Sequence, residues 1–202
     1  MKVIPKVDYS TVAKLIDDGH IVAIYQGCDE GGPRALGNRS FLFNPRIYEM
    51  WGHVNILKKR EWYRPVAGSI LVEDFSEWFD NGTIEESPFM TYAIDVRPDQ
   101  AKKIPAIIHK NKTCRIQTVR EEDNPHYYNL IKAYKDLTGV PIVGNTSFNL
   151  GGEPIVHTLK QALSTLERSL FEYLYLPEKA TLIYAKNAVS YTHLTLPTNR
   201  EV

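Results

Sequence analysis

The sequence predicts a mixed α/β fold, and three observations carry that expectation. Short apolar runs such as IVAIY and IPAII alternate with helix-period patterns along the chain. A glycine-rich loop leaves the first buried run. At 202 residues, 43% hydrophobic and 24% charged, the chain can bury a real core and has the composition of an ordinary globular protein. Taken in order, Ser10 reads as an N-cap for a helix over Ser10–Asp18, with Val12, Leu15 and Ile16 on its apolar face and Gly19 as its stop. That helix feeds a buried strand, Ile21–Gln26, then the loop Gly27–Gly37 and a short strand Ser40–Phe43. Tyr48–Lys58 reads as a second helix, and Ser69–Val72 and Met90–Val96 as strands. Period-two alternation in TCRIQTV makes Thr113–Val119 a half-buried strand carrying Arg115. Asn124-Pro125 opens an amphipathic helix that runs to about Leu137 and ends at Thr138-Gly139. Pro141–Val143 is a short buried strand running into the polar loop NTSFNLGGEP. Leu159–Leu170 is a last helix and Thr181–Tyr184 a last strand. The sum is one domain over residues 1–186. Asn187–Val202 has no periodicity that adds to the core and reads as a disordered or adventitious tail.

Composition also excludes several roles. No apolar run is long enough to span a bilayer, and the N-terminus MKVIPKVDYS has no signal core, so the expected place is the cytoplasm. Cys28 and Cys114 make no metal-binding spacing, and the six histidines are dispersed without an i,i+4 pair. No resident metal is therefore expected. Net charge is zero, which argues against wholesale binding of nucleic acid, RNA included. Yet the charges are segregated. Five of the ten arginines lie between positions 34 and 64, in a stretch with two lysines and only Glu49 and Glu61 as acids. Arginine suits bidentate grip on phosphate or carboxylate.

Three segments are candidate sites. The loop GCDEGGPRALGN can bring backbone amides and Arg34 to an anion, although its glycines fit neither a Walker A loop nor a dinucleotide fingerprint. KKREWYRP sets Lys58, Lys59, Arg60 and Arg64 beside two aromatics and Glu61, a phosphate clamp or a solvated helix end. NTSFN follows a buried strand, where α/β sheets commonly bind ligands, and in extended backbone Asn145, Ser147 and Asn149 face one way.

Together the motifs are more specific. GPRALGNRS (32–40), KKREWYRP (58–65), SPFM (87–90), IPAIIHKNKTCRIQTV (104–119) and TGVPIVGNTSFNLGGEPIVHT (138–158) occur in this order. That series resembles the C-terminal domain of the O-carbamoyltransferases of nodulation and antibiotic tailoring, over about residues 8 to 184. The resemblance implies a YrdC-like twisted mixed sheet with helices packed against it and a concave basic surface. It implies binding of ATP, with Mg²⁺, and of carbamoyl phosphate, and formation of carbamoyl adenylate. A separate actin-like domain with a His-rich iron site then passes the carbamoyl group to a hydroxyl. This chain starts at Met1 where the C-terminal domain would start, so that partner is expected as a separate domain or subunit. Carried over, the resemblance assigns catalytic contacts to Arg34, Lys58, Arg115 and Ser147. It assigns substrate and nucleotide contacts to Lys59, Arg60, Arg64, His109, Asn145 and Asn149. The chain departs from the family pattern at Cys28, at Gly31 and in RPVAGS (64–69). Two other readings stay open: a module that binds nucleotide or RNA without turnover, and an inactive fragment.

Overall fold

Asp8 lies in extended backbone, and its carboxylate accepts the Thr11 N–H at 2.9 Å, so α1 (Tyr9–Asp17) starts ahead of Ser10, the expected cap. The computed structural model describes residues 1–185, and the expected tail falls outside them. Burial of Val12, Ala13 and Ile16 turns one face of α1 onto the sheet. A strand buried up to its half-buried last residue, β2 (Val22–Tyr25), follows the edge strand β1 (Lys2–Pro5), which the sequence did not announce. The glycine-rich loop leads to β3 (Arg39–Phe43), and α2 (Met50–Leu57) leads to β4 (Ala67–Leu71).

A short helix α3 (Phe75–Trp78) runs straight into the two-residue strand β5 (Phe79–Asp80). Next come β6 (Ala93–Val96), the one-turn helix α4 (Pro98–Ala101) and β7 (Thr113–Val119). Met90 was expected inside β6, but its φ of 54° is left-handed and no strand accommodates it. The long helix α5 (Pro125–Thr138) buries Tyr127, Leu130, Ile131 and Tyr134, the i, i+3, i+4, i+7 stripe. Gly139, at φ 74°, ends it in the left-handed position that glycine supplies. After β8 (Ile142–Ser147), α6 (Leu159–Glu167) opens with a capping box of Thr158 and Gln161, and β9 (Tyr173–Leu176) and β10 (Thr181–Tyr184) are the last strands of the described residues.

The ten strands form one mixed sheet in the order β1-β10-β9-β2-β3-β8-β4-β7-β6-β5. β2 pairs with β9, and β4 with β7, in parallel; the other pairings are antiparallel. The register at the centre corrects the sequence reading. Pairing of β8 does not stop at Val143: Asn145 lies opposite Leu42 and Ala67, and Ser147 opposite Ser40. The polar residues stay in the ladder because Asn145 finds partners inside, donating to the Ala35 carbonyl at 3.1 Å and to Ser69 Oγ at 3.0 Å.

Asn124 joins the helix layer to the glycine loop. Its side chain accepts the Tyr127 N–H at 3.1 Å, accepts from Gln26 at 3.1 Å and donates to Asn38 at 3.0 Å. Asn124→Ala is expected to lower stability by about 1 kcal/mol through the lost cap, read as a shift in the urea midpoint with an unchanged slope.

Candidate functional site

The central feature is a cleft of about 220 Å³ at the end of β8, walled by the turn after α2, the glycine loop and β7. Its lining carries five cations, Arg34, Lys58, Arg60, Arg64 and Arg115, and no carboxylate. Asn145, Ser147 and Asn149 add polar atoms to the same surface.

Each cation is placed by local structure. Lys58 closes α2, and Lys59 then takes a φ of 55°, which reverses the chain. The reversal sends the Lys58 side chain inward, to 1% exposure, and leaves that of Lys59 exposed. Nζ of Lys58 donates to the Ser147 carbonyl, to Ser147 Oγ at 3.2 Å and to Asn149 Oδ1 at 3.0 Å, and lies 5.5 Å from the Phe41 ring centroid. All three ammonium protons thus meet oxygen, none of it charged. The turn is locked from the far side, where Gly151 N–H donates to the Lys58 carbonyl at 2.6 Å. A Cβ on Gly151 would sit 2.5 Å from the Lys59 carbonyl, so only glycine fits the approach. Arg60 is aimed by its Nε donating to Asn55 Oδ1 at 2.6 Å, and the buried Asn55 amide donates to the carbonyls of Trp62 and Arg64, each at 2.8 Å. Arg64 pairs with Glu61 at 3.0 Å. Arg34 reaches only its neighbour's carbonyl, at 3.4 Å. Arg115 points from β7 with a buried Nε that has no partner.

These charges repel one another. Burial drives the Lys58 pKa well below the ordinary 10.5, and Arg60 and Arg64 push the same way. Burial, then Arg64 and Arg115, bring Arg60 from 12.5 to about 10 against the opposing pull of Glu61. Arg115 is lowered by burial and by Arg34. Glu61 answers Arg64 at the exposed rim, while Lys58 and Arg115 have no acid within salt-bridge distance among the described residues; half-buried like charges so placed are satisfied by an anion.

The structure therefore brings together Arg34, Lys58, Arg60, Arg64, Arg115, Asn145, Ser147 and Asn149. It leaves out two residues. Lys59 lies over a separate shallow cavity with Ile56 and Leu170. His109 lines a neighbouring aromatic groove, its Nδ1 against Thr113 Oγ1 at 3.1 Å.

The amides at the two ends of the glycine loop are committed internally: Glu30 takes the N–H groups of Leu36 and Asn38, each at 2.7 Å, and of Arg39 at 3.2 Å, while Gly27 donates to Glu178 at 3.0 Å and Gly37 to Ser40 Oγ at 3.0 Å. Its middle brings Pro33, Arg34 and Ala35 to the cleft. Sequence reasoning missed Glu30, whose signal was an acidic pair, Asp29 and Glu30, inside a glycine loop. It also passed over Arg39, which is 2% exposed, stacks 3.8 Å from the Tyr25 ring centroid and pairs with Asp29 at 3.0 Å. Asp29 in turn holds His157 Nδ1 at 2.6 Å, so Arg39 ties the loop to the segment after β8.

The family model described as Carbamoyltransferase C-terminus matches residues 13–182. The chain belongs to that family. It is 44% identical over 159 residues to Nodulation protein NolO of Bradyrhizobium diazoefficiens, covering 77% of this chain and 29% of that protein. It is 35% identical over 152 residues to the 3'-hydroxymethylcephem-O-carbamoyltransferase of Amycolatopsis lactamdurans, covering 75% and 28%. The chain thus spans under a third of the length of these relatives. Full-length HypF, solved in a phosphate- and nucleotide-bound form, superposes with a TM-score of 0.55 at 20% identity, over 78% of this chain and 23% of that one, which is a likeness of fold. The family match makes residues 13–182 a carbamoyltransferase C-terminal domain, and the superposition adds only the fold. Among the described residues no helix is long and apolar enough to cross a membrane, and no group of three or more His, Cys, Asp or Glu is placed to hold a metal.

Burial lowers the pKa values of His53 and His109 from 6.5, with Arg115 adding to the effect at His109 and Glu172 opposing it at His53. The folded chain then binds fewer protons than the unfolded one below that value. Their contribution to stability is present above 6.5 and is lost as pH falls through the lowered folded values. Melting temperature is expected to drop as pH falls below about 6.5, with a shallower drop in a His53→Gln, His109→Gln variant.

Proposed function

We propose that the cleft binds ATP and carbamoyl phosphate together and forms carbamoyl adenylate, as the activating part of an O-carbamoyltransferase. The observation that carries the reading is the cleft lining: five cations, no acid, and cations that already repel one another. Two polyanions meeting in water repel; in this cleft each relieves the strain of the cations as it enters. The stoichiometry needs no protein nucleophile. Carbamoyl phosphate, ATP and one water give carbamoyl adenylate, phosphate and pyrophosphate. Charge grows on the phosphoryl oxygens as pyrophosphate departs, where Arg and Lys donors are worth most.

Roles follow from placement. Arg115 from β7 and Arg34 from the glycine loop supply charge to the cleft. Lys58 fixes Ser147 and Asn149 and offers its charge at the cleft floor. Arg60 and Arg64 lie on the turn that enters the cleft. Since no carboxylate lines the cleft, Mg²⁺ arrives as the counter-ion of ATP rather than as a group held by the protein. The resulting adenylate needs an acceptor domain, in keeping with relatives of which the matched segment is under a third.

The test is pyrophosphate release by this chain. Release is expected only when ATP and carbamoyl phosphate are both present. Binding of nucleotide or RNA that falls steeply with salt, with no release under any mixture, would support a binding module instead.

A further inference from the structure

A second cavity, of about 440 Å³, adjoins the cationic cleft. Pro33, Ser147 and Asn149 line both, so a small molecule gripped by the cations borders the second cavity as well. Asp29, Gly31, Gly32 and His157 line the second cavity and not the cleft. A Cβ built on Gly31 or Gly32 would meet nothing within 4 Å, which leaves room there for water and a small substrate.

Asp29 and His157 form an oriented acid–imidazole pair in this cavity. One oxygen of Asp29 lies 2.6 Å from His157 Nδ1, and the other accepts from the buried Arg39 guanidinium at 3.0 Å. The bond to His157 is the main cause that holds the Asp29 carboxyl below the usual carboxylate range, and the charges of His157 and Arg39 add to it. An ionised Asp29 keeps the proton of the neutral ring on Nδ1, so the lone pair sits on Nε2. Among the described residues Nε2 meets no partner, and the ring is 62% exposed. The other two acids of the cavity are spent: Glu30 on loop amides at 2.7 Å, Glu153 on Arg168 at 2.7 Å. His157 Nε2 is thus the free proton acceptor of the cavity. The ring is not what fastens this segment. The His157 N–H donates to Gln161 at 2.8 Å, and its carbonyl accepts from the Tyr25 hydroxyl at 3.0 Å and from Arg39 at 3.3 Å.

We propose that His157, oriented by Asp29, is the general base that activates the one water consumed in forming carbamoyl adenylate. This rests on the cleft being the site of carbamoyl phosphate and ATP. As the water oxygen bonds to the carbamoyl carbon, Nε2 takes one of its protons. The bond from that carbon to the phosphate oxygen breaks, and phosphate leaves with the electron pair toward the cations of the cleft. The second water proton passes from the new carboxyl to the phosphate, and His157 gives up its own to solvent through the exposed Nε2. The products are carbamate, hydrogen phosphate and one proton. A carbamate oxygen then attacks the α-phosphorus of ATP and expels pyrophosphate. That second step moves no proton and has no use for His157. Asp29 touches no reacting atom and is a positioning residue.

Exchange of labelled pyrophosphate into ATP, driven by two different donors, isolates the water step. One donor is carbamoyl phosphate; the other is ammonium bicarbonate, which holds carbamate at equilibrium and needs no water attack. The unaltered chain is expected to exchange with both. His157→Ala should lose about a hundredfold with carbamoyl phosphate and stay within about threefold with carbamate. Asp29→Asn should lose about tenfold with carbamoyl phosphate and keep the carbamate reaction, a split that a merely structural role would not produce. A melting curve on each variant checks that it folds. His157→Ala working as the unaltered chain does with carbamoyl phosphate overturns the assignment. So does an equal loss with both donors, which would make the ring structural. An unaltered chain that exchanges with one donor and not the other overturns the water-first order. No exchange by the unaltered chain with either donor is a different result: it sinks the adenylate reading and the general base with it.

Discussion

Arg115→Ala is expected to weaken binding of carbamoyl phosphate or ATP by roughly 2–4 kcal/mol while the melting temperature of the unliganded chain hardly moves. An arginine half-sunk in a strand normally needs a carboxylate, and a structural role would require one nearby. Glu153 is the acid the sequence offers, but it pairs with Arg168 through two contacts of 2.7 and 3.1 Å. Among the described residues Arg115 has no acid within salt-bridge distance; its Nε is buried without a partner, and Arg34 disfavours its charge. Removing it therefore takes away repulsion as well as packing, and the two offset. Calorimetry and a melting curve on the same variant separate the outcomes. A destabilised variant with unchanged affinity would return Arg115 to a structural role.

Lys58→Met should have the larger effect, and on both properties. Methionine keeps the volume and loses the charge and all three donated hydrogen bonds. The Ser147 carbonyl keeps the Asn149 N–H and Asn149 Oδ1 keeps the Ser147 hydroxyl, so the loss is that of the ordinary hydrogen bonds from Lys58, about 1 kcal/mol each. Relief of a buried cation that has no counter-charge opposes this, so the net loss of stability is smaller than their sum. Anion binding has no such offset. The variant removes the innermost charge and frees the Ser147–Asn149 pair it positions, and a loss of about a hundredfold or more in carbamoyl phosphate affinity is expected. If Lys58→Met bound carbamoyl phosphate as the unaltered chain does, the buried lysine would be a packing device only.

Legibility in the sequence followed the range of the interactions that decide each feature. Helix α5 was plain because Tyr127, Leu130, Ile131 and Tyr134 keep one spacing and Gly139 stops them. Strand β7 was plain because its alternation sets buried Cys114 and Ile116 against half-exposed Arg115. Strands β1 and β9 were not, since each has four residues, and β1 against β10 and β9 against β2 pair far along the chain. The same reason hid the end of β8, where polar Asn145 stays paired only because Ala35 and Ser69 receive its amide. At the site, residue types were readable and directions were not. Lys58 and Lys59 are adjacent and alike in sequence, yet one left-handed φ of 55° sends them to opposite sides. His109 shares a motif with Arg115 but lines the groove rather than the cleft, because a turn separates it from β7. Glu30 needed the folded loop, since a carboxylate that collects amides up to nine residues away leaves no periodic trace.

Exchange of labelled pyrophosphate into ATP tests the central claim most directly, because it reports adenylate formed in the cleft whether or not an acceptor domain is present. The chain is incubated with Mg²⁺-ATP and labelled pyrophosphate, with and without carbamoyl phosphate, beside the Arg115→Ala and Lys58→Met variants. The account predicts label in ATP only when carbamoyl phosphate is added, and a steep loss of exchange in both variants. ATP bound tightly, with no exchange under either condition, would contradict it.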